Sequence, residues 1–156
     1  MKYVPRRAHS ADLRRIRELD RAYSPVFSSP DAYERLLSGS GLLLVTAEKE
    51  QLVALAAWDT VLDEGSLLNL VVHPGYRRRG LASGLLEASA MALTRAGVAS
   101  LYIEVRESNA AAIALYERSG FQKAGYRRAY YAPTPGGQRE SAILMRRTSD
   151  EREVCK

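Results

Sequence analysis

The spacing of apolar residues changes repeatedly along this chain, and each change marks an element. Lys2 to Arg6 reads as a short first strand. Leu13, Ile16 and Leu19 then recur at helical spacing behind Ser10, a good capping residue. Ser29, Pro30 and Asp31 open a second helix, with a cap, a proline at the first position and an early acid. Gly39 or Gly41 ends it. Three extended runs follow: Leu42 to Ala47, Leu52 to Leu62 and Leu67 to Val72. Turns at Glu48–Glu50 and Asp63–Gly65 separate them, which predicts an antiparallel meander. His73, Pro74 and Gly75 stop the third run. From Gly80 to Ala96 the period is helical again, with Leu81, Leu85, Ala88 and Ala92 on one face and Gly97 as a left-handed stop.

The last third repeats the alternation. Ser100 to Val105 reads as a strand and Ala110 to Arg118 as a helix capped by Ser108 or Asn109. Gly120 ends that helix, and Phe121 is placed for the apolar contact that accompanies such caps. Tyr126 to Tyr131 and Ser141 to Met145 are two more strands around an "APTPGGQ" loop. The order β-α-α-β-β-β-α-β-α-β-β puts helices after central strands, so part of the sheet is expected to be parallel. The expectation is one α/β domain over residues 1–147 and a polar tail over 148–156.

Composition narrows the class. The chain has 156 residues, 46% hydrophobic and 26% charged, as an ordinary soluble domain does. Its longest apolar run, Leu52 to Trp58, is too short to span a bilayer, and no apolar stretch of a signal peptide follows the N-terminal charges. The lone cysteine, Cys155, excludes an internal disulfide and fits a cytoplasmic protein. Cys155 has no paired histidine for nucleophilic work, and with His9 and His73 it makes no metal set. The net charge of +5 admits nucleic acid, a ribosomal partner or an anionic cofactor; no basic-aromatic RNA signature is visible.

Arg77-Arg78-Arg79-Gly80-Leu81-Ala82 carries the first chemical signal. It joins a strand to a helix N-terminus, where unpaired N–H groups and the helix dipole favour a phosphate. It is neither a Walker loop nor a G-x-G-x-x-G fingerprint. The second signal is a carboxylate, Glu104, amid apolar strand residues, and a phenol, Tyr116, amid Ala and Leu on the next helix.

The Arg/Gln-x-x-Gly-x-Gly/Ala pattern resembles the acetyl-CoA motif of the GNAT acetyltransferases. The stretches "VLDEGSLLNLVVHPGYRRRGLASGLLE", "LYIEVRESNAAAIALYERSGF" and "RRAYY" resemble its RimI branch, the bacterial ribosomal-protein-alanine N-acetyltransferases. The resemblance is strong over Val61 to Met145. It implies a GNAT fold: a mixed, splayed sheet of about seven strands flanked by about four helices. It also implies acetyl transfer from acetyl-CoA to a protein N-terminal amine, with the alanine of small-subunit ribosomal protein eighteen as leading acceptor. Leu70, Val71 and Val72 would hold the acetyl-pantetheine arm. Arg78, Arg79, Gly80, Leu81, Ala82 and Ser83 would cradle the pyrophosphate, and Asn109 would contact the arm. Glu104 would accept a proton and Tyr116 donate one. Phe27, Tyr130 and Tyr131 would line the acceptor slot, only one of the tyrosine pair facing it if both stand on a strand. No metal, membrane or direct nucleic-acid binding is implied. Ala82, Val26-Phe27 and Ala129 depart from the Gly, Pro-Trp and Asn common in that branch.

The chemistry needs such groups. An α-amine with a pKa near 8 is mostly protonated at neutral pH, and an ordinary carboxylate is a base weaker by roughly 3.5 units. Burial of Glu104 would narrow that gap, and a water relay would also serve. A phenol near 10 can protonate a thiolate near 8.5 at modest cost. Two other readings stand beside this one: acetylation of a different amine (another N-terminus, a lysine or a small molecule), and a basic acyl-CoA- or RNA-binding module without turnover.

Overall fold

The structure is a computed structural model that describes residues 3–24, 31–131 and 139–149. They fall into two compact units, Met1–Val98 and Ala99–Lys156. Phe27, the Ser29-Pro30 helix start, the "APTPGGQ" loop and Cys155 lie outside the described residues.

In the first unit, β1 (Arg6–Arg7) is shorter than its sequence pattern suggests and begins at the residue where the expected strand ends. It pairs with β2 (Gly41–Glu48). β2, β3 (Gln51–Val61) and β4 (Glu64–Val72) form the expected antiparallel meander. β4 starts three residues earlier than its apolar run, because the turn centres on Leu62, at φ 55°, and the polar Glu64-Gly65-Ser66 already pairs with β3. Leu52 to Trp58 is buried throughout, so β3 is covered on both faces.

α1 (Leu13–Tyr23) and α2 (Ala32–Arg35) cover one of those faces. Ile16, Leu19, Tyr33 and Leu36 pack with Leu43, Val45, Leu55 and Val71. Ser10 is not the cap of α1. A 3-10 turn over Ser10–Asp12 precedes the helix. The buried Asp12 carboxylate accepts from the His9 N–H at 2.7 Å and from both Arg6 guanidinium nitrogens at 2.8 and 2.9 Å. Arg6 thereby holds the Asp12 carboxyl down at about 2.

α3 (Leu81–Arg95) packs against β2, β3 and β4. Its buried stripe is Leu81, Leu85, Leu86, Ser89, Ala90 and Leu93, with Ala88 and Ala92 only half-buried. Ser89 can sit fully buried because its hydroxyl donates to the Leu85 carbonyl at 2.6 Å. Gly97, at φ 93°, ends α3 as expected.

A polar knot crosses this core. Asn69 of β4 is 4% exposed, and its amide donates to Asp20 at 2.7 Å, Ser24 at 2.9 Å and Tyr33 at 3.1 Å. The Tyr33 hydroxyl also donates to Asp20 at 2.8 Å. One strand residue thus ties down the end of α1 and the start of α2. Asn69→Ala should destabilise the protein by about 2 kcal/mol, because the buried Tyr33 and the half-buried Asp20 and Ser24 lose a partner while little apolar surface is gained. A lowered midpoint in urea unfolding, without a change of slope, is the expected result.

In the second unit, β5 (Ser100–Arg106) pairs antiparallel with β7 (Ala142–Thr148), and β7 with β6 (Gln122–Arg127). α4 (Ala110–Arg118) lies between β5 and β6 in sequence. Its ends are set locally. Asn109 caps the start, its side-chain oxygen accepting from the Ala112 N–H at 3.1 Å. At the end, Gly120 adopts φ 91°, where a side chain would be strained. The Phe121 N–H then reaches the Tyr116 carbonyl at 2.9 Å and the Gly120 N–H the Glu117 carbonyl at 3.1 Å, a Schellman closure. Phe121 is buried with its ring centroid 6.2 Å from that of Tyr116. The cap that stops the helix therefore also fixes the candidate phenol. Seven strands and four α-helices are formed among the described residues, an α/β fold whose ladders within each unit are all antiparallel.

Candidate functional site

The first unit carries the turn that is expected to bind an anion. His73 follows β4, and its Nδ1 accepts from the Gly75 N–H at 2.9 Å, which shapes a short turn over Pro74–Tyr76. Arg78 (φ 63°) and Gly80 (φ 78°) both adopt left-handed backbone. The strain at Arg78, a non-glycine residue, is what swings the chain into α3. A Cβ built on Gly80 would meet nothing within 4 Å, so the backbone there is open to a ligand. The first helical bond runs from the Gly84 N–H to the Gly80 carbonyl at 3.0 Å, which leaves the Leu81, Ala82 and Ser83 N–H groups at the positive end of the helix dipole. These groups fit a pyrophosphate. The Arg79 side chain is directed elsewhere: it donates to the Tyr3 hydroxyl at 2.9 Å and lies 4.9 Å over the Tyr76 ring. Leu70, Val71 and Val72 end β4, with Val71 buried in the core and the other two half-buried.

The second unit carries the acid and the phenol. Glu104 stands on the face of β5 opposite Ile103 and Val105, which are buried. Of the two routes left open, burial of Glu104 is not found; its side chain is 32% exposed, because that face of the strand lies outside the apolar core. Its Oε1 is 3.4 Å from Arg127 Nη2. The Tyr130 phenol is pushed above its usual value, first by hydrogen bonding toward Glu104 and then by that carboxylate's charge. Tyr131 is raised by burial first, and by Glu104 next.

Tyr130 and Tyr131 do not stand on a strand. β6 ends at Arg127, and Ala129 turns the chain at φ 49°. Strand alternation therefore does not separate the pair. Their rings meet edge to face at 5.2 Å, and both feel Glu104. Arg106 lies 4.2 Å over the Tyr131 ring, and the Tyr131 N–H donates to the Glu140 carbonyl at 2.9 Å. Glu140 in turn accepts from the Ser108 N–H at 2.8 Å and from Arg106 at 3.3 Å. Sequence reasoning missed Arg106 and Glu140 and marked Arg127 only as part of "RRAYY"; the lone acid before the last strand is the one signal for Glu140.

Tyr116 is 8% exposed. Burial, and then Tyr131 beside it, pushes its phenol up to about 12. No described residue hydrogen-bonds its hydroxyl. Tyr131 thus lies between Tyr116 and Glu104: the Glu104 charge raises it, and it in turn raises Tyr116. Asn109 has its side-chain oxygen committed to the helix cap, which leaves its amide N–H groups as the donors it can offer a ligand. Among the described residues no group of three or more His, Cys, Asp or Glu could hold a metal ion, and no helix is long and apolar enough to cross a membrane.

An α/β chain with a strand meander, an open glycine turn and then a helix is the arrangement expected of an acetyltransferase fold. The chain belongs to the acetyltransferase (GNAT) family, whose family model matches residues 13–121. The ribosomal protein bS18-alanine N-acetyltransferase of Escherichia coli (strain K12) is 52% identical over 95 residues, 61% of this chain. That stretch spans 63% of the relative's length, a little under two thirds. The protein of the same name from Haemophilus ducreyi is 37% identical over 137 residues, covering 86% of this chain and 92% of the relative. Among solved structures, the ribosomal-protein-S18-alanine N-acetyltransferase from Escherichia coli superposes with a TM-score of 0.82 at 37% identity, covering 94% of this chain and 93% of that one. Arabidopsis thaliana NAA60 in complex with acetyl-CoA gives 0.83 over 94% and 98% at 19% identity, a likeness of fold.

Proposed function

We propose that this chain transfers the acetyl group of acetyl-CoA to the N-terminal α-amino group of a protein, with the N-terminal alanine of ribosomal protein bS18 as the leading acceptor. The observation that carries the reading is the cluster in the second unit, where one carboxylate and one buried phenol share a tyrosine neighbour. The names of the Escherichia coli and Haemophilus relatives support the choice of acceptor.

Leu81, Ala82 and Ser83, with Arg78, Arg79 and Gly80 before them, bind the pyrophosphate through main-chain N–H groups at the start of α3. Leu70, Val71 and Val72 offer backbone groups to the acetyl-pantetheine arm, and Asn109 offers its amide. Glu104, directly or through water, takes the proton that the amine sheds as it attacks the thioester carbonyl. Its openness to water suits the relayed route, because the proton can leave to solvent instead of staying on the carboxylate. Tyr116 faces the leaving thiolate as a hydrogen-bond donor. Tyr130 and Tyr131 offer aromatic surface to the acceptor, and Phe27 is assigned to the same slot. No residue of this scheme forms a covalent intermediate.

The test is mass spectrometry of synthetic peptides incubated with acetyl-CoA. An alanine-initiated bS18 peptide should gain one acetyl group on its α-amine. If it stays unmodified while a lysine or small-molecule amine reacts, the acceptor assignment fails and the alternative acetyltransferase reading replaces it.

A further inference from the structure

Arg127 is brought to Glu104 by an irregularity in the edge strand. In the ladder, Lys123 of β6 stands opposite Met145 of β7, but the next pair is Gly125 with Leu144, so Ala124 is an extra residue. Such a bulge flips every later side chain to the other face. Because of it, Arg127 pairs with Ala142 and shares the face of Leu144, the residue that pairs with Glu104. Gly125, in the same row as Glu104, puts no side chain between them. The guanidinium reaches diagonally to the carboxylate at 3.4 Å and rests 5.2 Å over the Tyr130 ring. The other cation nearby, Arg106, is held by Glu140 and the Tyr131 ring. Both members of the Arg127 pair are open to solvent, 52% and 32% exposed, so the contact is easily exchanged.

We propose that Arg127 is a cationic placeholder, occupying at Glu104 the position that the acceptor's α-ammonium takes on binding, and so sets the acceptor KM. This rests on the reading of Glu104 as the group that meets the amine. The acceptor amine arrives as a cation, since its pKa near 8 keeps it mostly protonated at neutral pH. Two cations cannot both pair closely with one carboxylate without repelling each other. Binding therefore displaces Arg127 from the carboxylate, and the Tyr130 ring, over which it already lies, keeps it close by. Arg127 is a positioning residue; it acts on the acceptor through Glu104.

The experiment is steady-state kinetics on Arg127→Met, Arg127→Lys and Glu104→Gln, and on the Arg127→Met/Glu104→Gln pair, with an alanine-initiated peptide. For Arg127→Met the acceptor KM should fall about two- to fivefold. kcat should change less, and the acetyl-CoA KM should stay put. Arg127→Lys should restore the higher acceptor KM, and in the Glu104→Gln background the Arg127→Met effect should vanish. An acceptor KM that is unchanged or raised in Arg127→Met overturns the placeholder role. If Glu104→Gln keeps full turnover, it is the assignment of Glu104 that fails; if Glu104→Gln collapses turnover while Arg127→Met leaves the acceptor KM alone, only the role of Arg127 does.

Discussion

Glu104→Gln should lower kcat by about a hundred- to a thousandfold while leaving acetyl-CoA binding intact. The glutamine keeps the shape of the side chain and an oxygen that can accept from Tyr130, but loses the charge and the basicity. Glu104 lies on the solvent-facing side of β5, away from Ile103 and Val105, so the change removes no core contact. Acetyl-CoA is assigned to the glycine turn and β4, so its stabilisation of the protein against heat should be the same in wild type and variant. The reading needs that split. A variant that loses turnover and acetyl-CoA stabilisation together has lost its fold or its cofactor site instead. A kcat within threefold of wild type would mean that the amine gives its proton to another group.

What the sequence disclosed, and what it hid, divides by range. Features decided within a few residues were legible. The span of α4 and its Gly120–Phe121 closure follow from local bonding, and the structure forms them as read; of the two candidate caps, Ser108 and Asn109, it uses Asn109. The meander was legible because β2, β3 and β4 are separated by short polar turns. The Arg77–Ala82 turn was legible because a glycine follows an arginine run just before a helical period, although the left-handed strain at Arg78 was not. Features decided by distant partners were hidden. Asn69 looked like one polar residue in "LLNLVV", and its role in the knot depends on Asp20, Ser24 and Tyr33, which the chain delivers from two helices. The bulge at Ala124 had only the neighbouring Gly125 as a local signal, and the turn at Ala129 has no glycine or proline to announce it. Without them Arg127 would sit on the wrong face and Tyr130 and Tyr131 would point apart. The exposure of Glu104 was hidden for a related reason: alternation shows that a residue leaves one apolar face, not what covers the other.

Tyr116→Phe should lower kcat by about ten- to a hundredfold, with both KM values within a few-fold of wild type. The magnitude follows from what a phenol at about 12 can do. A departing thiolate has a pKa near 8.5, so full proton transfer from Tyr116 is uphill by roughly 3.5 units, ~5 kcal/mol, against ~2 kcal/mol for an ordinary phenol. The modest cost expected from sequence thus becomes a substantial one, and burial is the reason. A buried phenol that resists ionising serves better as a fixed hydrogen-bond donor. In the proposed role it would stabilise the charge growing on sulfur and leave the final proton to solvent. A hydrogen bond to a charged group contributes about 1.5–3 kcal/mol, which sets the expected loss. Since no described residue bonds the hydroxyl, phenylalanine abandons no partner among the described residues and should fold as well as tyrosine. The same shift has a signature in stability. The unfolded phenol loses its proton near 10 and the folded one near 12, so the unfolded state binds fewer protons between those values and stability falls as pH rises through them. Two units correspond to ~3 kcal/mol of stability that is present below pH 10 and gone above 12. Chemical unfolding of wild type and Tyr116→Phe from pH 9 to 11.5 should show the two curves separating, the variant retaining more stability at the alkaline end. Below pH 11 the donor stays protonated, so Tyr116 should add no alkaline limb to the turnover profile. Full kcat in Tyr116→Phe would remove the phenol from the reaction even if the alkaline stability difference appears, since that difference reports only its burial.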